Sequence, residues 1–207
     1  MQRITGGQLR GRKLSRLPGG VAGLRPTGAR VREAIFNRLQ GEVEDARVLD
    51  LFAGSGALSI EALSRGARAA TLIERDRAVL RHLQRQLASF GIDGRARVIG
   101  RDALAHVRAG PSDGAFDIVF LDPPFAMALE KIHEIIVALA EKRWLAPDGV
   151  LVYEYERAGG RPGVTSWGVP QGFTLEVHKR YGQIGVDYLR WLAPAAEKSV
   201  SAADEPR

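Results

Sequence analysis

The sharpest chemical signal in the chain is the apolar run Phe116-Asp117-Ile118-Val119-Phe120-Leu121, which leads straight into Asp122-Pro123-Pro124-Phe125. Two consecutive prolines remove two backbone donors and fix two dihedrals, and Pro123 also holds Asp122 extended. The result is a rigid rim of acceptors. The Asp122 carboxylate and the Pro123 carbonyl can both accept from one exocyclic amino group, while the Phe125 ring can stack on the heterocycle that bears it. An aromatic amine is a poor nucleophile because its lone pair is delocalised into the ring. Two acceptors on its hydrogens favour a more pyramidal nitrogen with its lone pair aimed at an electrophilic methyl. That chemistry needs no metal, and the four histidines, His82, His106, His133 and His178, lack ligand spacing.

A second constellation lies earlier. Val48-Leu49-Asp50-Leu51-Phe52 runs into Ala53-Gly54-Ser55-Gly56-Ala57, an apolar strand followed by a glycine turn and a helix, and ligands of open α/β sheets bind at such an edge. Gly54 and Gly56 let backbone N–H groups approach a ligand beside the positive helix terminus. A dinucleotide fingerprint asks for a third glycine or small residue where Ser59 stands, which argues against NAD. Glu74 ends the next apolar run, where a carboxylate can accept from two ribose hydroxyls, and Asp102 follows the third, within reach of an adenine amino group. Asp50 sits inside its strand, where an unpaired charge is costly, so a cationic ligand group is expected beside it. An adenosine half joined to a positive half describes S-adenosylmethionine.

Positioning these residues requires a parallel sheet flanked by helices, and the alternation of short apolar runs with helical periods supplies it. The strands are expected at Val48–Phe52, Ala70–Glu74, Ala96–Ile99, Phe116–Leu121 and Val150–Tyr155, with helices at Ala57–Arg65, Arg77–Phe90, Ala103–Arg108 and Ala126–Arg143. Leu80, Leu83 and Leu87 share one helical face, and Ile132, Ile135, Ile136 and Leu139 another. Pro147-Asp148-Gly149 reads as a turn with the positive dihedral at the glycine. After an irregular stretch, Arg157–Gln171, the runs Phe173–Tyr181 and Ile184–Leu192 form an antiparallel hairpin that closes the sheet edge. Upstream, residues 3–20 read as a short hairpin or extended arm, and Thr27 caps a helix running to about Gln40 with Val31, Ile35 and Leu39 buried.

The 207 residues suit one domain with a small appendage, and 45% hydrophobic with 26% charged residues is ordinary globular usage. Without cysteine, disulfides, Cys-bound metals and thiol nucleophiles are excluded. The longest charge-free runs, such as Leu51–Ile60, fall short of the roughly 18 residues of a membrane span. The first residues, Met1–Gly7, carry no apolar signal core, so a cytoplasmic protein is expected. Charge is uneven: residues 1–38 hold nine Arg/Lys against Glu33 alone, a net of +8, so the rest carries −2 of the total +6. A basic segment on a near-neutral body points to a polyanionic partner.

Phe52-Ala53-Gly54-Ser55-Gly56 together with Asp122-Pro123-Pro124-Phe125 resembles the class I S-adenosylmethionine-dependent amino-methyltransferases. The blocks Arg3-Ile4-Thr5-Gly6-Gly7, Leu24-Arg25-Pro26-Thr27 and Arg30-Val31-Arg32-Glu33-Ala34-Ile35-Phe36-Asn37 narrow the resemblance to the bacterial RsmD type, over about residues 2–192. Gly28 and Ala29 depart from the polar residues expected there. The resemblance implies a Rossmann-like sheet with helices on both faces and methylation of guanine N2 in 16S ribosomal RNA. It implies that Asp50, Gly54, Gly56, Glu74 and Asp102 hold the cofactor, with Phe52, Ser55 and Ala103 beside them, and that Asp122–Phe125 hold the base. Arg3, Arg10, Arg12, Lys13, Arg25, Arg30 and Arg32 are the expected contacts to RNA of the small ribosomal subunit or its assembly intermediate. The expected organisation is a basic N-terminal hairpin and helix over 1–41, a methyltransferase domain over 42–194 and a frayed tail over 195–207, acting as a monomer without membrane or metal. The same tetrapeptide also serves DNA adenine and protein glutamine amines, and a cofactor-free RNA-binding module is the alternative from another class.

Overall fold

The computed structural model describes residues 2–17, 28–156 and 163–193. Seven strands form one sheet: β1 (Arg47–Asp50), β2 (Ala69–Glu74), β3 (Ala96–Gly100), β4 (Phe116–Leu121), β5 (Leu145–Glu156), β6 (Phe173–Tyr181) and β7 (Ile184–Trp191). Their order is β3-β2-β1-β4-β5-β7-β6. The first five are parallel, and β7 runs antiparallel between β5 and β6. The order reverses between β1 and β4, the switch point at which open α/β sheets bind ligands.

Helices cover both faces because the central strands alternate two apolar sets. Val48, Ile118, Phe120, Val150 and Val152 pack with α1 (Ala29–Arg38), α2 (Ala57–Ser64) and α3 (Arg77–Phe90). Leu49, Val119, Leu121, Leu151 and Tyr153 pack with α4 (Ala103–Arg108), α5 (Leu129–Glu141) and α6 (Val164–Trp167). The expected strands and helices are present with their ends moved by a few residues, save that β5 starts earlier, at Leu145. The helix expected from Ala126 begins at Leu129, because the Met127 N–H closes a turn on the Pro124 carbonyl and Ala128 is extended. Thr27, the glycines Gly19 and Gly20, and the tail from 195 lie outside the described residues; Gly28 stands at the α1 N-cap. In the Pro147-Asp148-Gly149 turn the positive φ falls on Asp148, at 59°, and not on Gly149. Glycine is needed there for another reason, since a Cβ at Gly149 would sit 2.9 Å from the Ala146 carbonyl oxygen.

The N-terminal segment is a hairpin. Arg3 pairs with Lys13, the Ile4 N–H donates to the Arg12 carbonyl and the Ile4 carbonyl accepts from the Gly11 N–H, around a turn closed from Arg10 N–H to Gly7 carbonyl. Ile4, Leu9 and Leu14 bury into the same core as α1 and the sheet, so the hairpin is a packed layer and not a loose arm. Its anchor is Glu61 on α2, fully buried, which accepts from the Thr5 N–H and hydroxyl, the Gly6 N–H at 2.7 Å, Arg65 Nε at 2.9 Å and Arg32 Nε at 3.2 Å. Burial pushes this carboxyl up, but those donors outweigh it and hold it below its ordinary value. Gly7 lies so close that a Cβ would overlap the Ser64 carbonyl at 1.8 Å.

Removing a partner from a buried ion pair leaves an uncompensated charge. Glu61→Ala is therefore expected to lower unfolding stability by about 3–5 kcal/mol in urea titrations. It should also speed hydrogen exchange at the Thr5 and Gly6 amides more than at the strands.

Candidate active site

The site is assembled at the carboxyl ends of β1, β2, β4 and β5. After β1 the chain turns through Gly54 (φ 51°) and Gly56 (φ 73°), both in the left-handed region that glycine enters freely. Gly56 is the α2 N-cap, and a Cβ there would meet Leu83 Cδ2 at 2.7 Å, so α3 packs against the bare backbone. Glu74 steadies the turn: one carboxylate oxygen accepts from the Gly54 N–H at 3.1 Å and the other from the Asp76 N–H at 2.8 Å. Each oxygen keeps a further lone pair for a ligand hydroxyl. Gln86 donates to the Ser55 carbonyl at 2.8 Å. Phe52 is half-buried against the second core.

Asp50 is 1% exposed. Ser59 donates to its Oδ2 at 2.8 Å, while Oδ1 is buried with no hydrogen-bond partner among the described residues. Burial above all, aided by the nearby Asp122 and Glu74 charges, raises its pKa to about 7 against the opposing Ser59 and Phe52 N–H bonds. Ser59, which departs from the dinucleotide pattern, is thus the hydroxyl that holds Asp50.

Asp102 has structural partners of its own. Its carboxylate caps α4 by accepting from the Ala105 N–H at 3.1 Å and lies 3.4 Å from Lys131 Nζ. Burial raises this carboxyl, but the cap and Lys131 together lower it below the ordinary range. Ala103 is buried as the first residue of α4. Asp122 and Phe125 are half-buried and Pro123 buried at the end of β4.

The sequence reading missed Glu154. On β5 it is 6% exposed, and its Oε2 has no hydrogen-bond partner among the described residues. Leu121 pairs with Tyr153, so Asp122 and Glu154 follow at one level on neighbouring parallel strands. The signal was available: Val150-Leu151-Val152-Tyr153-Glu154 is an apolar run ending in an acid, the same pattern that marks Glu74.

The basic set divides. Arg3, Arg10, Lys13 and Arg30 are exposed. Arg12 is exposed too, yet its guanidinium lies 4.4 Å over the Phe90 ring and donates to the Ser89 carbonyl. The expectation that Arg32 meets RNA does not hold, because its side chain is fully buried against Glu61 and donates to the Arg3 carbonyl. Arg25 lies outside the described residues.

A seven-stranded sheet in this order, with a glycine turn after β1 and acids ending successive strands, defines a class I, Rossmann-like methyltransferase. A model of the family described as conserved hypothetical protein 95 matches residues 2–190, and the chain belongs to that family. It is 44% identical to ribosomal RNA small subunit methyltransferase D of Escherichia coli (strain K12) over 88% of this chain and 86% of the relative. The protein of the same name from Haemophilus influenzae is 39% identical over 87% of this chain and 89% of the relative. Among solved structures, putative methyltransferase YhhF from Escherichia coli superposes with a TM-score of 0.78 at 41% identity, covering 93% of this chain and 98% of that one. The chain is a methyltransferase.

The class implies S-adenosylmethionine, and the donor set fits it. The unpartnered Asp50 oxygen suits a cationic group, and Glu74 and the bare turn suit a ribose. Without a ligand, Asp50 is a group with a folded pKa above its unfolded value. Its contribution is present below pH 4 and is lost as pH rises towards about 7, because only the unfolded chain ionises it freely. Asp50→Asn is accordingly expected to stabilise the cofactor-free protein at pH 8, by on the order of 2–4 kcal/mol, and to change little at pH 4. Thermal melts at the two pH values check this.

Proposed function

We propose that the protein transfers a methyl group from S-adenosylmethionine to the exocyclic N2 amine of a guanine in 16S ribosomal RNA of the small subunit. The observation that carries this reading is the acceptor rim Asp122-Pro123-Pro124-Phe125 at the end of β4, beside the cofactor turn after β1, in a chain 44% identical to a small-subunit ribosomal RNA methyltransferase. The bound cofactor supplies an electrophilic methyl on a sulfonium.

The chain's own residues do the rest. Asp50 meets the positive half of the cofactor, Glu74 its ribose, and the Gly54–Gly56 backbone lets the ligand lie close. The Pro124 carbonyl is taken by the Met127 N–H, which makes Pro123 the carbonyl assigned to the amine together with the Asp122 carboxylate. Bond formation leaves one proton too many on nitrogen, and Asp122, already hydrogen-bonded to it, accepts it. Phe125 stacks on the flipped base, and a single-stranded or loop nucleotide costs least to present in this way.

Asp122→Ala is expected to lower kcat by two orders of magnitude or more, on the order of 3 kcal/mol, while S-adenosylmethionine affinity by calorimetry stays within about threefold. Nucleoside analysis of methylated small subunits and of free 16S RNA should show N2-methylguanosine; N6-methyladenosine in its place would refute the assignment.

The exposed Arg10 and Lys13 flank the hairpin turn with no side-chain hydrogen bond or ion pair among the described residues, and we assign them to phosphates. Arg10→Glu with Lys13→Glu should weaken RNA binding and flatten its salt dependence by roughly one to two units. Filter binding at several salt concentrations measures the slope, and a slope equal to wild type would reduce the pair to surface charge.

A further inference from the structure

We propose that Glu154 is a specificity-determining residue that pairs with the N1–H and O6 of the target guanine while Asp122 accepts from its N2 amine. The inference rests on the guanine-N2 reading above and extends it to a residue that the rim motif does not contain.

Glu154 and Asp122 are brought side by side by the parallel register of β4 and β5, one residue beyond the Leu121–Tyr153 pair. Phe120 and Val152, two residues before them, face the core under α1, so both carboxyls lie on that same face of the sheet, as does Asp50 opposite Phe120. Glu154 is 6% exposed, and its Oε2 finds no donor or acceptor among the described residues. A buried polar atom without a partner is costly, and such atoms mark places where a ligand completes the hydrogen bonding.

The protonation state decides which ligand edge fits. Burial and the neighbouring Asp122 charge push the Glu154 carboxyl well above the usual carboxylate range, and Arg32 opposes them without prevailing. The Tyr188 side chain lies on the same face, two residues further along β7 from Val186, the partner of Glu154. A neutral carboxyl offers one donor and one acceptor, while an ionised one offers acceptors alone. Read along the edge, a protonated Glu154 together with Asp122 presents donor, acceptor, acceptor. Guanine presents O6 acceptor, N1 donor and N2 donor, the complementary order. Adenine carries an acceptor at N1 beside its amine, so it can take the Glu154 donor and offer its amine to Asp122, but it has no donor for the Glu154 acceptor oxygen, which guanine N1–H fills.

The test uses the full chain and 16S RNA, or subunits reconstituted from it, carrying either guanosine or 2-aminopurine riboside at the target position. 2-Aminopurine keeps the reacting amine but lacks both the N1–H and O6. Wild type should prefer guanosine by at least about tenfold in kcat/KM. Glu154→Ala should reduce that preference to within about twofold by losing rate on guanosine, and Glu154→Gln, whose amide keeps a donor and an acceptor, should restore it. Melting temperature and S-adenosylmethionine calorimetry report the fold of each variant, and Glu154→Leu carries the same test should the alanine variant fail to fold. An unchanged preference in Glu154→Ala or Glu154→Leu overturns the proposal, as does a Glu154→Gln variant as indiscriminate as alanine. If wild type forms no N2-methylguanosine, the underlying reading falls and this proposal with it.

Discussion

Taking a carboxylate out of water costs several kcal/mol unless donors replace its hydration, and one face of this sheet answers that cost in two opposite ways. Glu61 is surrounded by two backbone N–H groups, a hydroxyl and two guanidinium groups, and stays ionised. Asp50, with one hydroxyl on one oxygen, and Glu154, with an unpartnered oxygen, are pushed towards the neutral form. The ionised acid is structural and fastens the hairpin to α2. The two acids with raised pKa lie on the face that carries the switch point, each with a buried oxygen that finds no partner among the described residues. Arg32 lies between the two regimes, bonded to Glu61 and opposing the neutral state of Glu154 from a distance.

The juxtaposition of Asp122 and Glu154 depends on a local irregularity in β5. Phe116 pairs with Leu145, but two residues later Ile118 pairs with Val150, so β5 spends three more residues than β4 over that interval. An odd shift in a strand reverses which face its side chains take. Without the turn at Pro147-Asp148-Gly149, the residue level with Asp122 would be Leu151, an apolar residue of the opposite core. Asp148 accepts a left-handed φ of 59° to make this turn, and the bare Gly149 lets the Ala146 and Phe116 carbonyls approach. The strain sits at the far end of the strand from the chemistry that it aligns.

Much of this was legible from residue order. Period-two and period-3.6 apolar patterns located the strands and helices, since burial on both faces of a parallel sheet leaves little choice of element. Gly54, Gly56, Glu74 and the Asp122 rim were legible because turn chemistry and strand-end acids are local features. Glu154 was not read, since its meaning comes from register with another strand 32 residues earlier, beyond any local pattern. Arg32 was misread for a related reason: a cation in a basic segment looks solvated until the fold supplies Glu61 from 29 residues away. Asp102 was legible as a strand-end acid, while its cap on α4, which the same residue type also favours, became visible only with the helix start in place.

The charge count of the N-terminal segment shrinks when the fold assigns its members. Arg32 is buried in an ion pair, Arg38 is held between Glu42 and Glu176, and Arg12 lies on Phe90. The net of +8 therefore overstates what faces outward, and the exposed Arg10, Lys13, Arg16 and Arg30 carry more of the field than their number suggests. In a cleft, a field of one sign concentrates the opposite charge and repels its own. Asp50, Asp122, Glu154 and Glu74 all fully ionised would oppose an approaching phosphate chain at the point where a base must enter. Burial raises the pKa of Asp50 and of Glu154 and so lessens that opposition while keeping their hydrogen-bonding capacity. A cationic ligand group beside Asp50 then favours its ionised form, so the negative charge is developed when there is a positive partner to meet it. On the proposed function, the same desolvation that destabilises the empty site serves the binding of a cation and a polyanion side by side.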